Sequence, residues 1–203
     1  MVGSIFKKAL LEETGRSWEQ WIAVMEQRVD HTWTHEQAVR FLTEECGMQP
    51  EWSELAASMF EQKLGRKPVG HSADAGFQIG VRRTFPISLE QAWHVLISED
   101  GVSKWFGELP SYSLQAGQSI RSKDGVAGEV RVFKPYSHLR MSWQREEWDG
   151  SSTLQIRVLP ASGGKTTISF HQEKLDDLYM RELMRRHWEH VLDLLSPSCK
   201  VSL

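Results

Sequence analysis

A single stretch near the C-terminal end, DDLYMRELMRRHWEHVLDLL (residues 176–195), constrains the fold more than any other. Met180, Leu183, Met184, His187, Trp188, Val191, Leu194 and Leu195 recur at steps of three and four. At about 100° per residue that spacing puts them on one broad helical face. Glu182, Arg186, Glu189, His190 and Asp193 take the opposite face. Asp176 and Asp177 place negative charge at the N-terminal end, where the helix dipole favours it, and Pro197 prevents continuation. A helix this apolar on one side needs a cover. His187 is out of character with the stripe it occupies, between Met184 and Val191.

The cover is legible in the preceding hundred residues, whose apolar positions alternate with period 2. Phe77/Ile79/Val81, Val130/Val132, Leu139/Met141/Trp143, Leu154/Ile156/Val158 and Ile168/Phe170 each put apolar residues on one face and polar ones on the other. Asp124-Gly125, Asp149-Gly150 and Ser162-Gly163-Gly164 are hairpin-turn signals between these runs. Ser88 with Gln91 forms a capping box opening a helix with the stripe Leu89, Ala92, Trp93 and Leu96. Trp105 and Phe106 follow in a short turn or helix. The order is strand, helices, a five-strand meander and a long helix. An antiparallel sheet wet on one face and covered on the other fits this order, so the expected class is α+β.

The N-terminal third reads differently. Capping boxes at Ser17/Gln20 and Thr34/Gln37, Pro50 at a first helical position and Gly15, Gly47 and Gly65 as stops predict short amphipathic helices. Residues 1–16 give a weaker helical signal. The stretch GRKPVGHSADAG (65–76) has the composition of a linker. The expected organisation is therefore a three-helix all-α domain over 1–70, a linker at 71–76, an α+β domain over 77–197 and a tail over 198–203.

Charge excludes several function classes. The net charge of −3 comes from residues 1–70, with 8 basic against 11 acidic side chains, while the remainder balances. Neither part has the basic field that nucleic acid or an anionic membrane surface attracts. Around Cys46–Pro50 the helix pair superficially suits a helix-turn-helix, but Glu51, Glu54 and Glu61 on the second helix would repel phosphates. No run approaches ~18 apolar residues, so no membrane span is expected. Cys46 and Cys199 lack metal-ligand spacing, and Cys199 falls in an expected loose tail; a reduced, cytoplasmic protein is the default. His31 and His35 flank the Thr34 cap and need not share a helical face, so no metal is expected. Gly163-Gly164-Lys165-Thr166 lacks the earlier glycine of a phosphate loop and sits in a hairpin.

The segments FPISLEQAWHVLISEDGVSKWF, GEVRVFKPYSHLRMSWQ, STLQIRVLPASGGKTTISFHQEKL and HWEHVLDLL resemble, in that order, the START-like (SRPBCC, helix-grip) superfamily. Within it they are most similar to the group named after activators of heat-shock-protein ATPase. Pro86, Trp93, Trp105, Gly128–Val130, Leu139–Trp143 and Trp188 fill the positions typical of that group. The segment Trp18–Gly70 resembles a small helical domain of unknown function found in front of such domains in bacteria. The resemblance implies a curved sheet gripping the last helix with an apolar cavity between them. It implies no universal catalytic residues.

The cavity candidates are then Trp93, Trp105 and Phe106 from the first helices and Met141, Trp143, Ile156 and Phe170 from the strands. Met184, His187 and Trp188 join them from the last helix. A closed aromatic core is the competing reading. His187 is the polar candidate, able to orient a ligand or move a proton, against a core histidine bonded to the sheet. Arg131, Arg140 and Arg157 alternate outward, as a solvated face or a contact surface. The expected function is binding of a small hydrophobic or amphipathic ligand without cofactor or catalysis. The alternatives are a protein-interaction or chaperone-cofactor module, with a protein partner or a homodimer, and a cyclase-like enzyme using His187.

Overall fold

The computed structural model describes residues 2–30, 32–66, 71–72, 76–111 and 113–199, with 71–72 as backbone. These residues group into two compact units. One comprises the N-terminal helices through Phe77 together with Leu175–Arg181; the other comprises Gln78–Lys174 and Glu182 onward. His31 lies outside the described residues, as do parts of the 65–76 stretch and residues 200–203 of the tail.

In the first unit, α1 (Ser4–Thr14), α2 (Trp18–Arg28), α3 (His35–Arg40) and α4 (Pro50–Lys63) form a helical core. The capping boxes at Ser17/Gln20 and Thr34/Gln37 are both closed, side chain to backbone in each direction. Pro50 starts α4, and Gly15 ends α1 in the left-handed conformation (φ 69°). The weakly signalled first segment is a full helix, α1, whose Phe6 and Leu10 are completely buried with Trp18, Trp21, Met25, Leu42 and Phe60. After α3 the chain widens into a π-helical turn, Phe41–Glu45, which keeps Phe41 and Leu42 on the buried side. Tyr179 packs in this same unit against Phe6 (5.8 Å between ring centroids) and Trp52 (5.6 Å, stacked).

In the second unit lies the meander: β3 (Ser119–Arg121), β4 (Val126–Lys134), β5 (His138–Arg145), β6 (Ser152–Ala161) and β7 (Lys165–Leu175). Ahead of it come β2 (Gly76–Phe85), α5 (Leu89–Ile97) and α6 (Glu99–Trp105). The two-residue β1 (His71–Ser72) pairs with Phe77 and Gly76 at the start of β2. The sheet order is β1-β2-β7-β6-β5-β4-β3, and the registered meander pairs are antiparallel. All three predicted glycine turns connect strands of this meander. The final helix, α7 (Leu178–Leu195), lays its apolar face on the sheet, with Trp188 stacked on Phe170 of β7 at 4.8 Å. This is the expected α+β helix-grip architecture.

Three local expectations need correction. Val132 was expected inward beside Val130, but a β-bulge between them adds a residue to β4 and turns Val132 outward. On α7, Leu183 and Leu194 are 39% and 40% exposed, whereas Leu192 is 1% exposed. The buried face is rotated toward Leu192 from the symmetric stripe, which leaves His187 on its flank. Cys199 is not loose: a 3₁₀ turn, Pro197–Cys199, buries its thiol.

Candidate functional site

The inward positions of β5, β6 and β7 are set by alternation, and α7 brings Met184 and Trp188 down on them. Trp143, Phe170 and Trp188 are completely buried. Trp143 meets Trp188 edge to face at 5.8 Å, and His187 sits 5.9 Å from Trp143 and 4.5 Å from Trp188. Trp148, from the turn between β5 and β6, closes on Trp143 at 5.0 Å. The Arg145 guanidinium lies 5.8 Å from the Trp143 ring centroid, within cation–π range.

Of the ten cavity candidates, Trp143, Phe170, His187 and Trp188 come into direct ring contact. Met141, Ile156 and Met184 are buried beside them in the same unit. Trp93, Trp105 and Phe106 belong to a separate set of ring contacts. Trp93 faces Phe133 and Tyr136, Trp105 faces Phe106, and the Trp105 indole donates to the Leu96 carbonyl at 2.8 Å.

A buried polar chain threads the aromatic cluster. Trp188 Nε1 donates to Gln172 Oε1, Gln172 Nε2 donates to Ser152 Oγ, and Ser152 Oγ donates to the Trp143 carbonyl, each at 2.7 Å. Sequence reasoning did not single out Gln172, Ser152 or Trp148. The signal was present for Gln172, since alternation from Phe170 places it inward. Two polar atoms of the cluster have no hydrogen-bond partner among the described residues: Trp143 Nε1 and His187 Nε2, each exposing less than 1 Å². Burial, reinforced by the positive charge of Arg145 and then His190, pushes the His187 imidazole down to a pKa of about 4. At neutral pH the ring is uncharged.

The solvent face of the sheet carries a shallow concavity of about 480 Å³ bordered by Arg121, Glu129, Arg131, Ser142 and Gln144. It is floored by small residues, and Arg131 is part of it as an outward-facing side chain. Arg140 and Arg157 are exposed on β5 and β6, with Arg140 3.5 Å from Glu173. In the helical unit, His35 stands between Glu54 (2.8 Å) and Glu61 (3.0 Å). Among the described residues no three His, Cys, Asp or Glu side chains converge as a metal site. None of the described helices is long and apolar enough to cross a membrane.

Residues 86–197 match the profile of the family described as activator of Hsp90 ATPase homolog 1-like protein, more than half of the chain. The chain belongs to this family. Among solved structures similar to this member of the family is CalU16 from Micromonospora echinospora, at 19% identity with a TM-score of 0.53, covering 61% of this chain and 76% of that one. Protein MLL2253 from Mesorhizobium loti matches at 18% identity and a TM-score of 0.51, covering 60% of this chain and 95% of its own. Protein CV1439 from Chromobacterium violaceum matches at 16% and 0.50, covering 60% and 96%. At these identities the likeness shows the shared helix-grip fold. No curated protein matches the sequence at significance.

Proposed function

We propose that this activator-homologue-like domain binds a small amphipathic molecule between the inner face of its sheet and α7, at the Trp143–His187–Trp188 cluster. The observation that carries the reading is the pair of unpartnered buried atoms, Trp143 Nε1 and His187 Nε2. A buried polar group without a partner costs about 1–3 kcal/mol, so two in one cluster of a well-bonded interior call for an explanation. Aromatic walls with a few polar groups for orientation are the usual lining of a small-molecule site. Binding needs no chemistry here. The imidazole of the cluster is uncharged, and among the described residues no carboxylate makes a hydrogen bond or ring contact there.

Native mass spectrometry of freshly purified protein tests this reading. The expected spectrum contains an adduct of a few hundred daltons that is lost from a Trp143→Ala variant. A bare chain, together with no thermal shift across a panel of lipids and aromatics, would overturn it. The chaperone role in the family's name supplies a second reading. Stimulation of an Hsp90 ATPase by the purified chain, with the interior unoccupied, would favour it.

A further inference from the structure

We infer that the ligand of this site carries a neutral hydroxyl on an aromatic body, and that this oxygen bridges Trp143 Nε1 and His187 Nε2. The inference rests on the reading of the cluster as a ligand site. It follows from what each atom can do. An indole N–H only donates, so its partner must accept. An uncharged imidazole nitrogen either accepts or donates, according to tautomer. A hydroxyl satisfies both at once, accepting from the indole and donating to the imidazole. A carboxylate does so only with His187 as donor, and it carries a full charge into a place where each of the two atoms exposes less than 1 Å².

The neighbouring polar groups support the selection. Trp188 Nε1, Gln172 and Ser152 are bonded to one another and end on the Trp143 carbonyl. Each member of that chain already has a partner. The two unpartnered atoms lie outside it, on the flank of α7 where His187 meets Trp143. The low pKa of His187 agrees with this, because it keeps the acceptor tautomer available across the physiological range.

An aromatic body is indicated by the walls. Trp143 already meets Trp148 and Trp188 edge to face, and a further ring extends that packing. Trp148 is the member held by a turn instead of a strand or helix. Its carbonyl accepts from Gln144 Nε2 at 2.9 Å, and its N–H donates to the Arg145 carbonyl at 3.1 Å.

The test compares 2-naphthol, naphthalene and 2-naphthoate binding to the full chain by calorimetry, with the indole N–H resonance of Trp143 followed by NMR. The expected result is 2-naphthol binding at least tenfold more tightly than naphthalene, with 2-naphthoate weakest. The Trp143 indole proton should move downfield with 2-naphthol and not with naphthalene. His187→Leu should weaken 2-naphthol several-fold toward naphthalene, with the Trp143 bond remaining, and leave naphthalene itself unchanged. Equal binding of 2-naphthol and naphthalene, or tighter binding of 2-naphthoate through Arg145, would overturn the hydroxyl while leaving a ligand site. Failure of all three to bind, in protein whose native mass spectrum is also bare, would overturn the site and the inference with it.

Discussion

The indole of Trp188 donates to the side-chain oxygen of Gln172 at 2.7 Å, and both side chains are completely buried. This bond ties the last helix to β7 by something more directional than packing. Gln172→Leu strands the Trp188 N–H and removes the donor to Ser152 Oγ. The expected loss is about 1–3 kcal/mol in a urea unfolding experiment. Trp188→Ala, which also empties the volume beneath α7, should cost about 3–5 kcal/mol.

Two histidines should give opposite pH signatures. His187 is depressed from its ordinary 6.5 to about 4, so between those values the unfolded chain takes up a proton that the folded chain refuses. Stability should therefore fall as pH drops from about 6.5 toward 4. In His187→Leu that part of the acid slope should vanish, read from denaturation midpoints across pH 4–7.

His35 works the other way. Burial lowers its pKa, but hydrogen bonds to Glu54 and Glu61 outweigh this and hold it above the ordinary value. Its contribution is complete below about pH 6.5 and is lost as pH rises through the elevated folded value. His35→Gln should destabilise the protein at pH 5.5 and much less at pH 8.5.

Asp177 caps α7 from a fully buried position. Its carboxylate accepts the Met180 N–H at 2.8 Å and the Gly3 N–H at 2.9 Å. Loss of the cap in Asp177→Ala should cost about 0.5–2 kcal/mol. Burial raises this carboxyl above its usual pKa despite those bonds, so the folded state holds its proton more tightly than the unfolded one. The stability the wild-type side chain supplies therefore declines as pH rises above about 3.8. The variant's deficit should be larger at pH 4 than at pH 7.

Gly128 lies on β4 close against the β5 backbone. A Cβ at this position would fall 2.1 Å from the Ser142 carbonyl oxygen. Backbone on both sides must move to admit it, so Gly128→Ala should destabilise by about 1–3 kcal/mol, measured by thermal unfolding.

Much of this architecture could be read before the fold was known, because it depends on local chemistry. Three capping boxes predicted from Ser17, Thr34 and Ser88 are closed as expected. The meander follows from alternation and from glycine-bearing turns. What escaped depends on geometry that a period does not encode. The bulge that turned Val132 outward leaves no compositional mark. The turn between β4 and β5 uses Tyr136 in the left-handed conformation (φ 59°) where no glycine or asparagine announces it. In the candidate site, His187 is visible as a residue out of character in its stripe, and Trp143 and Trp188 follow from the periods of β5 and α7. The chain from Trp188 through Gln172 to Ser152 is not visible, because its members come from three separate elements that only the folded sheet and helix align.

The first unit is closed by residues far along the chain. Leu175–Arg181 complete it, with Tyr179 between Phe6 and Trp52 and Asp177 receiving the Gly3 amide. During synthesis the N-terminal helices emerge first, and domains ordinarily fold in that order. Here the helices must wait, with Phe6 and Trp52 uncovered, until the whole meander has been made. The segment that completes the N-terminal unit is made only after the meander, so this unit closes late, with the residues from Glu182 onward still to come.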